Sequence, residues 1–267
     1  MSAPFSAKFG MAVIAAYLFA AIFGPALAPF SETEIVGAEF EPWGGGHVFG
    51  TDSLGRDMLT RMIYGARNTV GIAFITTALA FLAGVAGGLW AAARGGLTDQ
   101  ILSRAVDLGM SVPSLIFALL MLTIVGTGIV ELVFVIALIQ TFPVYRIARA
   151  AAMNIAVMDY VEAARLRGES LRWIAGREIL PNAAPPLIAE FGLRFVFIFL
   201  FISALSFLGL GLQPPLADWG GMVRENATLI TFGDITPLLP AGAIALLTVA
   251  VNFVVDWFLH LSSGLKK

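Results

Sequence analysis

The sequence predicts an all-α, polytopic membrane helix bundle of six transmembrane helices, with a helix–turn–helix knob between the fourth and the fifth. Three observations predict it. The 267 residues are 58% hydrophobic and only 13% charged, whereas soluble domains carry roughly 25% charged residues. The apolar residues fall into runs of about 20, the length that spans a bilayer. One insert, Asp159 to Asn182, is dense in charge and lies between two such runs. The 21 Phe and 28 Gly also suit membrane helices, where glycine admits close helix contact.

Composition excludes several function classes. There is no Cys, which removes disulfides, thiolate metal sites and cysteine nucleophiles. The histidines, His47 and His260, are far apart and read as solvated side chains, so no metal site is expected. A net charge of −2 argues against nucleic-acid binding.

Phe9 to Phe30 is the first expected span. The run exceeds the roughly 7–15 apolar residues of a cleaved signal peptide, and only Lys8 precedes it. Ser31 to Gly50 is acidic and turn-rich, with Glu32, Glu34, Glu39, Glu41 and Gly44-Gly45-Gly46. In the next segment Asp52 and Asp57, with Arg56 and Arg61, are placed to form a charge network that orders an external loop. It reads as a structural cap; the competing reading is direct contact with substrate. A short helix is expected through Gly65 and Arg67, then a second span from Thr69 to Ala93 in which Gly84, Gly87 and Gly88 permit close helix approach. Arg94 to Arg104 reads as a loop. The third span, Ala105 to Val125, is interrupted at Ser111-Val112-Pro113-Ser114, where proline frees a carbonyl and permits either a hinge or a static kink. Gly126-Thr127-Gly128 turns the chain, and a fourth span runs from Ile129 to Tyr145 and on toward Asn154.

The knob follows. Asp159 is placed to cap a first helix, with Glu162 three residues on closing a capping box. Ala163, Ala164, Arg165, Leu166 and Arg167 are good helix formers, and Gly168 is a natural left-handed stop. A second short helix, Glu169 to Ala175, is expected to break at Gly176, and Pro181 opposes continuation. Ala183 to Leu210 is the fifth span. Its Glu190 and Arg194 share a helix face and are expected near the knob end, snorkelling or packed on the knob. Pro237 to Leu261 is the sixth span, with Asn252, Asp256 and His260 on one face. With both termini placed inside, Lys8, Arg94, Arg104, Arg146, Arg149, the knob arginines, Lys266 and Lys267 are cytoplasmic, and Arg56, Arg61, Arg67 and Arg224 lie outside. That bias obeys the positive-inside rule.

Three segments carry a family resemblance. Glu162-Ala163-Ala164, Gly168 and Ile179-Leu180-Pro181 resemble the EAA loop of importer-type ABC-transporter permeases, with Glu178 where the common pattern has isoleucine. Phe49 to Asp57 resembles the F-G-T-D-x-x-G-R-D segment of the C-type permeases in the dipeptide, oligopeptide and nickel branch. Leu205 to Gly211, Gln213-Pro214-Pro215 and Asp218-Trp219-Gly220 are similar to a third signature of that branch. Asn252 and Asp256-Trp257 resemble its final helix, although the branch's Arg-Asp and Asp-Pro tail does not follow.

The resemblance covers about Phe49 to Trp257 and implies a type I ABC importer permease fold. Residues 1–68 would form an N-terminal helix with a periplasmic loop, and residues 69–262 the permease domain, with the coupling loop at 159–182. It further implies a permease subunit forming half of a translocation pathway for a peptide-like or other small solute. The competing class is an ion-gradient-driven secondary transporter, which would want ionisable residues near mid-membrane. The implied partners are a homologous second permease, two ATPase subunits or a fused pair, a periplasmic solute-binding protein and membrane lipid, in a bacterial inner membrane. Glu162, Ala163, Ala164, Arg165, Gly168, Leu180 and Pro181 would couple to the ATPase. Glu162 and Arg165 would either pair with each other or contact it. No cofactor and no catalysis are expected of this chain: its lysines are Lys8, Lys266 and Lys267, and none follows a phosphate-binding glycine loop. ATP and Mg would be bound by the partners.

Overall fold

The computed structural model describes residues 3–44 and 46–262. Gly45 and the segment 263–267, which includes Lys266 and Lys267, lie outside the described residues. Five of the described helices are long and apolar enough to cross a membrane, and a bent pair brings the number to six if it counts as one span.

Helix α1 (Phe5–Leu27) is apolar on all sides and ends where the backbone turns extended at Ala28. The second span is longer than expected. Helix α2 (Met58–Gly65), a π-helical turn (Ala66–Val70) and α3 (Gly71–Arg94) run on without a break, and the pieces together form one 37-residue stretch. The expected loop at Arg94–Arg104 is instead mostly helix: α4 covers Gly96–Met110. Gly95 and Gly96, both at positive φ, make the joint from α3, and α4 follows at once. Its charges had masked an amphipathic helix on which Leu97, Ile101 and Leu108 recur on one side. The third span is therefore a bent pair, α4 and α5 (Ser114–Val125), meeting at 84°. Pro113, at φ −55° and ψ 125°, stands outside the helical region at the joint and is the N-cap of α5, in keeping with a residue that breaks a helix interior.

Helix α6 (Ile129–Ala156) packs parallel along α3. Gly84 and Gly88 permit this: a Cβ at Gly84 would meet Val144 at 2.7 Å, and one at Gly88 would meet backbone atoms of Tyr145 and Arg149 at 2.8 Å. Helix α4 lies antiparallel on α6. Ser103 meets the Tyr145 hydroxyl at 3.2 Å, and Asp99 pairs with Arg149.

In the knob, α7 spans Asp159–Leu166. The expected capping box is absent. Met158 is the N-cap and no side chain caps the helix, so Asp159 and Glu162 are first-turn residues that act on the helix dipole. Gly168 has φ +78°. Its amide bonds the Arg165 carbonyl at 3.0 Å and the Glu169 amide bonds the Ala164 carbonyl at 3.2 Å, a Schellman ending. The second knob helix begins at α8 (Leu171–Trp173), capped by Ser170 accepting from the Trp173 amide. It does not break at Gly176. A π turn (Ile174–Ile179) carries it into α9 (Leu180–Phe207). Pro181 sits in the first turn of α9, where a missing amide costs little, and the wide turn before it absorbs the mismatch.

Helix α9 runs antiparallel to α6. Beyond it, α10 (Trp219–Asn226) and a 3₁₀ turn (Ala227–Phe232) close the end of the bundle opposite the knob. Helix α11 (Leu238–Ser262) returns antiparallel to α1: Tyr17 donates to the Ala243 carbonyl at 2.9 Å, and Gly10 lies against Ala250. The start of α1 and the end of α11 thus share the knob end. The main core joins α3, α5, α6, α9 and α11 around Leu122, Leu132, Ile136, Phe199 and Ile202.

Candidate functional site: an exposed knob, a buried cap and a charged pair between them

The knob has its own small core. Val161, Ala164, Ile174 and Ile179 are buried against Leu89 and Ala93 of α3 and Ala152 of α6. Ala164 is thus part of the knob's internal packing. Ala163 and Glu162 are exposed. Arg165 reaches back to donate from Nη2 to the Ala93 carbonyl at 3.2 Å. It anchors the knob to the end of α3, where a helix has carbonyls without intrahelical partners. Leu180 and Pro181 are exposed at the knob's junction with α9. Arg167 is loosely placed, 3.9 Å from Glu178 with a side chain 57% exposed. The arrangement is a rigid unit seated on the ends of α3 and α6 and continuous with α9, presenting Glu162, Ala163, Gly168, Leu180 and Pro181 outward.

The opposite end is built differently. Asp52 Oδ2 accepts from Arg56 Nε at 2.7 Å and lies 3.2 Å from Arg61 Nε, while Asp52 Oδ1 accepts the Leu54 and Arg56 amides, both at 2.9 Å. Glu225 of α10 approaches Arg56 at 3.5 Å and Arg61 at 3.3 Å. All of these charges except Glu225 are buried. Asp57 does not join the arginines. It caps α2 by accepting from the Thr60 amide at 2.8 Å and meets His47 Nδ1 at 3.0 Å, so His47 is partnered, contrary to its expected solvation. Asp218 accepts from the Thr69 hydroxyl at 2.9 Å and the Gly221 amide at 2.8 Å. Burial pushes its carboxyl above the usual aspartate range, against those hydrogen bonds. Glu225 was invisible to sequence reasoning because it joins Arg61 from 164 residues away and no local pattern marks it.

Glu190 and Arg194 are paired, but not at the knob. Both lie midway along α9. Arg194 Nε donates to Glu190 Oε1 at 3.0 Å, and Nη1 donates to Gln140 Oε1 on α6 at 3.1 Å. The isolated polar Gln140, directly after the apolar run Leu132–Ile139, is a signal that sequence reasoning passed over. Asn252 bonds the Thr248 carbonyl of its own helix. Among the described residues no group of three or more His, Asp or Glu is placed to hold a metal.

Residues 83–263 match the family described as binding-protein-dependent transport system inner membrane component. The chain is 31% identical over 254 residues to the dipeptide transport system permease protein DppC of Alkalihalophilus pseudofirmus, covering 92% of this chain and 82% of that one. It is 33% identical over 258 residues to the di/tripeptide transport system permease protein DppC of Pseudomonas aeruginosa, with coverages of 92% and 84%. Among solved structures, that of an amino acid ABC transporter with histidines superposes with a TM-score of 0.57 at 19% identity, over 75% of this chain and 94% of the other, a likeness of fold.

Proposed function

This chain belongs to the inner membrane components of binding-protein-dependent transport systems, and from that premise we propose that its Asp159–Asn182 knob couples peptide import to a separate ATPase. The chain is a multi-pass permease subunit of an ABC importer. Hydrolysis resides in a partner subunit, and the system includes a second permease and a binding protein. Family membership sets aside the ion-gradient reading.

The observation that carries the coupling role is the seating of the knob. Its core is shared with α3 and α6, and its second helix continues into α9. A push on the outward face at Glu162, Ala163 and Gly168 therefore moves three spans together, as rigid elements in a two-state rearrangement do. Arg165 belongs to the knob's attachment, while Leu180 and Pro181 mark where motion passes into α9. The buried network of Asp52, Arg56 and Arg61, with Asp57 apart from it capping α2, supports the reading of a structural cap. Relatives named for dipeptide and di/tripeptide transport support a peptide cargo. The start of the family match at residue 83 supports residues 1–68 as an accessory segment beside a permease domain of 69–262. The start of α1 and the end of α11 lie at the knob end, and the charge bias supports placing that end in the cytoplasm of a bacterium.

The test is reconstitution of the permease pair, ATPases and binding protein in liposomes. Vanadate-sensitive uptake of dipeptide is expected; uptake that follows a proton gradient without ATPases overturns the reading. Single cysteines at Ser53 and at the exposed Thr231 should react with an impermeant maleimide outside intact cells, and one at Ser170 should not. Labelling of Ser170 from outside reverses the orientation.

A further inference from the structure

Two independent features converge on one cavity midway through the bundle. The first is the Glu190–Arg194 salt bridge, held to Gln140 across the α6–α9 contact, with Arg194 and Gln140 in the cavity wall and Glu190 just behind them. The second is the irregular backbone of the α4–α5 elbow, Ser111–Pro113, where the chain bends by 84°. The cavity, about 260 Å³, is walled by Gln140, Phe142 and Pro143 of α6, Arg194 and Phe197 of α9, and the elbow from Gly109 to Ser114. Each feature is costly in a lipid environment. Non-helical backbone at membrane depth is tolerated where it is enclosed by protein or lines a water-filled space. Ionisable side chains there face the same kind of space and mark solute pathways. Neither is explained by stability, because a buried ion pair rarely gains over an apolar replacement.

The pair also has unspent bonding capacity. A guanidinium carries five N–H donors. Arg194 uses Nε and one N–H from each terminal nitrogen, on Glu190 and Gln140, so each terminal nitrogen keeps a free donor. Glu190 accepts both of its bonds on Oε1, leaving Oε2 open. The Arg194 guanidinium lies 5.7 Å from the Phe197 ring centroid, which steadies its plane. An adjacent forked cation and open carboxylate oxygen match a small molecule that carries both a carboxylate and an ammonium.

We propose that Glu190, Arg194 and Gln140 form a transit site for a zwitterionic solute, with the free Arg194 donors taking its carboxylate and Glu190 Oε2 its ammonium. The site rests on the peptide-cargo reading and names how this chain recognises that cargo. The α4–α5 elbow is its other wall, and Asp99 ties α4 to Arg149 of α6 on the side toward the knob.

The experiment uses the complete complex in proteoliposomes with dialanine-loaded binding protein. Arg194→Gln should lower maximal dialanine uptake tenfold or more. The loaded binding-protein concentration giving half-maximal uptake, and ATPase co-purification, should stay unchanged. In a Ser114→Cys background, dialanine should slow alkylation of the introduced cysteine, and Arg194→Gln should remove that protection. Glu190→Gln provides a second measurement if Arg194→Gln fails to assemble. It should raise uptake of N-acetylated dialanine relative to dialanine, and an unchanged ratio overturns the site. So does protection that persists in Arg194→Gln, or wild-type uptake of dialanine without any protection. A wild-type complex that imports no dialanine defeats the cargo reading itself, and this site with it.

Discussion

The two ends of the bundle hold similar densities of charge and use them in opposite ways. At the end opposite the knob, Asp52, Arg56 and Arg61 are buried and committed to one another and to Glu225. In the knob, Glu162, Arg172 and Arg177 are exposed, and Arg167 has only a loose partner. Charges consumed within the chain cannot recognise another molecule without breaking what they hold. Charges left in water are free to meet a partner, and exposed pairs contribute little to stability in any case. The difference separates a structural cap from a docking surface.

The largest expected effect comes from breaking the committed end. Asp52→Ala leaves Arg56 and Arg61 buried without their central carboxylate, a loss on the order of 3–5 kcal/mol. Detergent-solubilised permease should aggregate or melt well below wild type; an unchanged melting temperature would show that these charges are not holding the cap. Next is Gly168→Val. Its Cβ would meet nothing within 4 Å, so the penalty is conformational, roughly 1 kcal/mol for a side chain at positive φ. The bundle should insert and pair with its partner permease, while uptake and ATPase co-purification are lost because the second knob helix is misaimed. Retention of both by this variant would sink the coupling role of the knob.

Glu162→Lys should weaken ATPase association more mildly. It reverses charge on the exposed face and places a cation at a helix N-terminus, an effect of about 0.3–1 kcal/mol on the helix itself. Titrating the ATPase against immobilised permease measures it, and equal affinity would remove Glu162 from the docking face. The smallest effect is expected from Asp57→Asn. Asparagine still caps α2, at a cost below the roughly 1 kcal/mol of losing a cap outright, and only the charge facing His47 is removed. Near-normal uptake is expected; a complete loss in an assembled complex would turn the cap into a contact surface for cargo or binding protein.

Much of this was legible in the chain. Gly168 announced its left-handed turn because only glycine takes that conformation cheaply, and Gly84 and Gly88 announced a close helix contact. The capping box was misread because a Ser, Thr or Asp before a helix predicts a cap only if the backbone starts there, and here it starts one residue earlier, at Met158. Helix α4 is not legible from charge density, because a polar loop and an amphipathic helix share that composition. That Arg165 donates to the Ala93 carbonyl, 72 residues away, is not legible in the sequence, because no local pattern joins the two.

What the sequence alone determined about this protein is therefore what depends on local chemistry: apolar runs that must lie in lipid, a polar insert that must not, and glycines at turns that admit nothing else. The tertiary structure alone decided which charges are spent and which are free. Asp52 and Glu162 are both acidic residues in polar segments, yet one is buried under two arginines and the other is open to solvent. It likewise decided that Arg194 meets Gln140 at the middle of the bundle and not the knob. Those outcomes depend on which helices pack together and at what height, which is settled by long-range burial and not by neighbours in the chain.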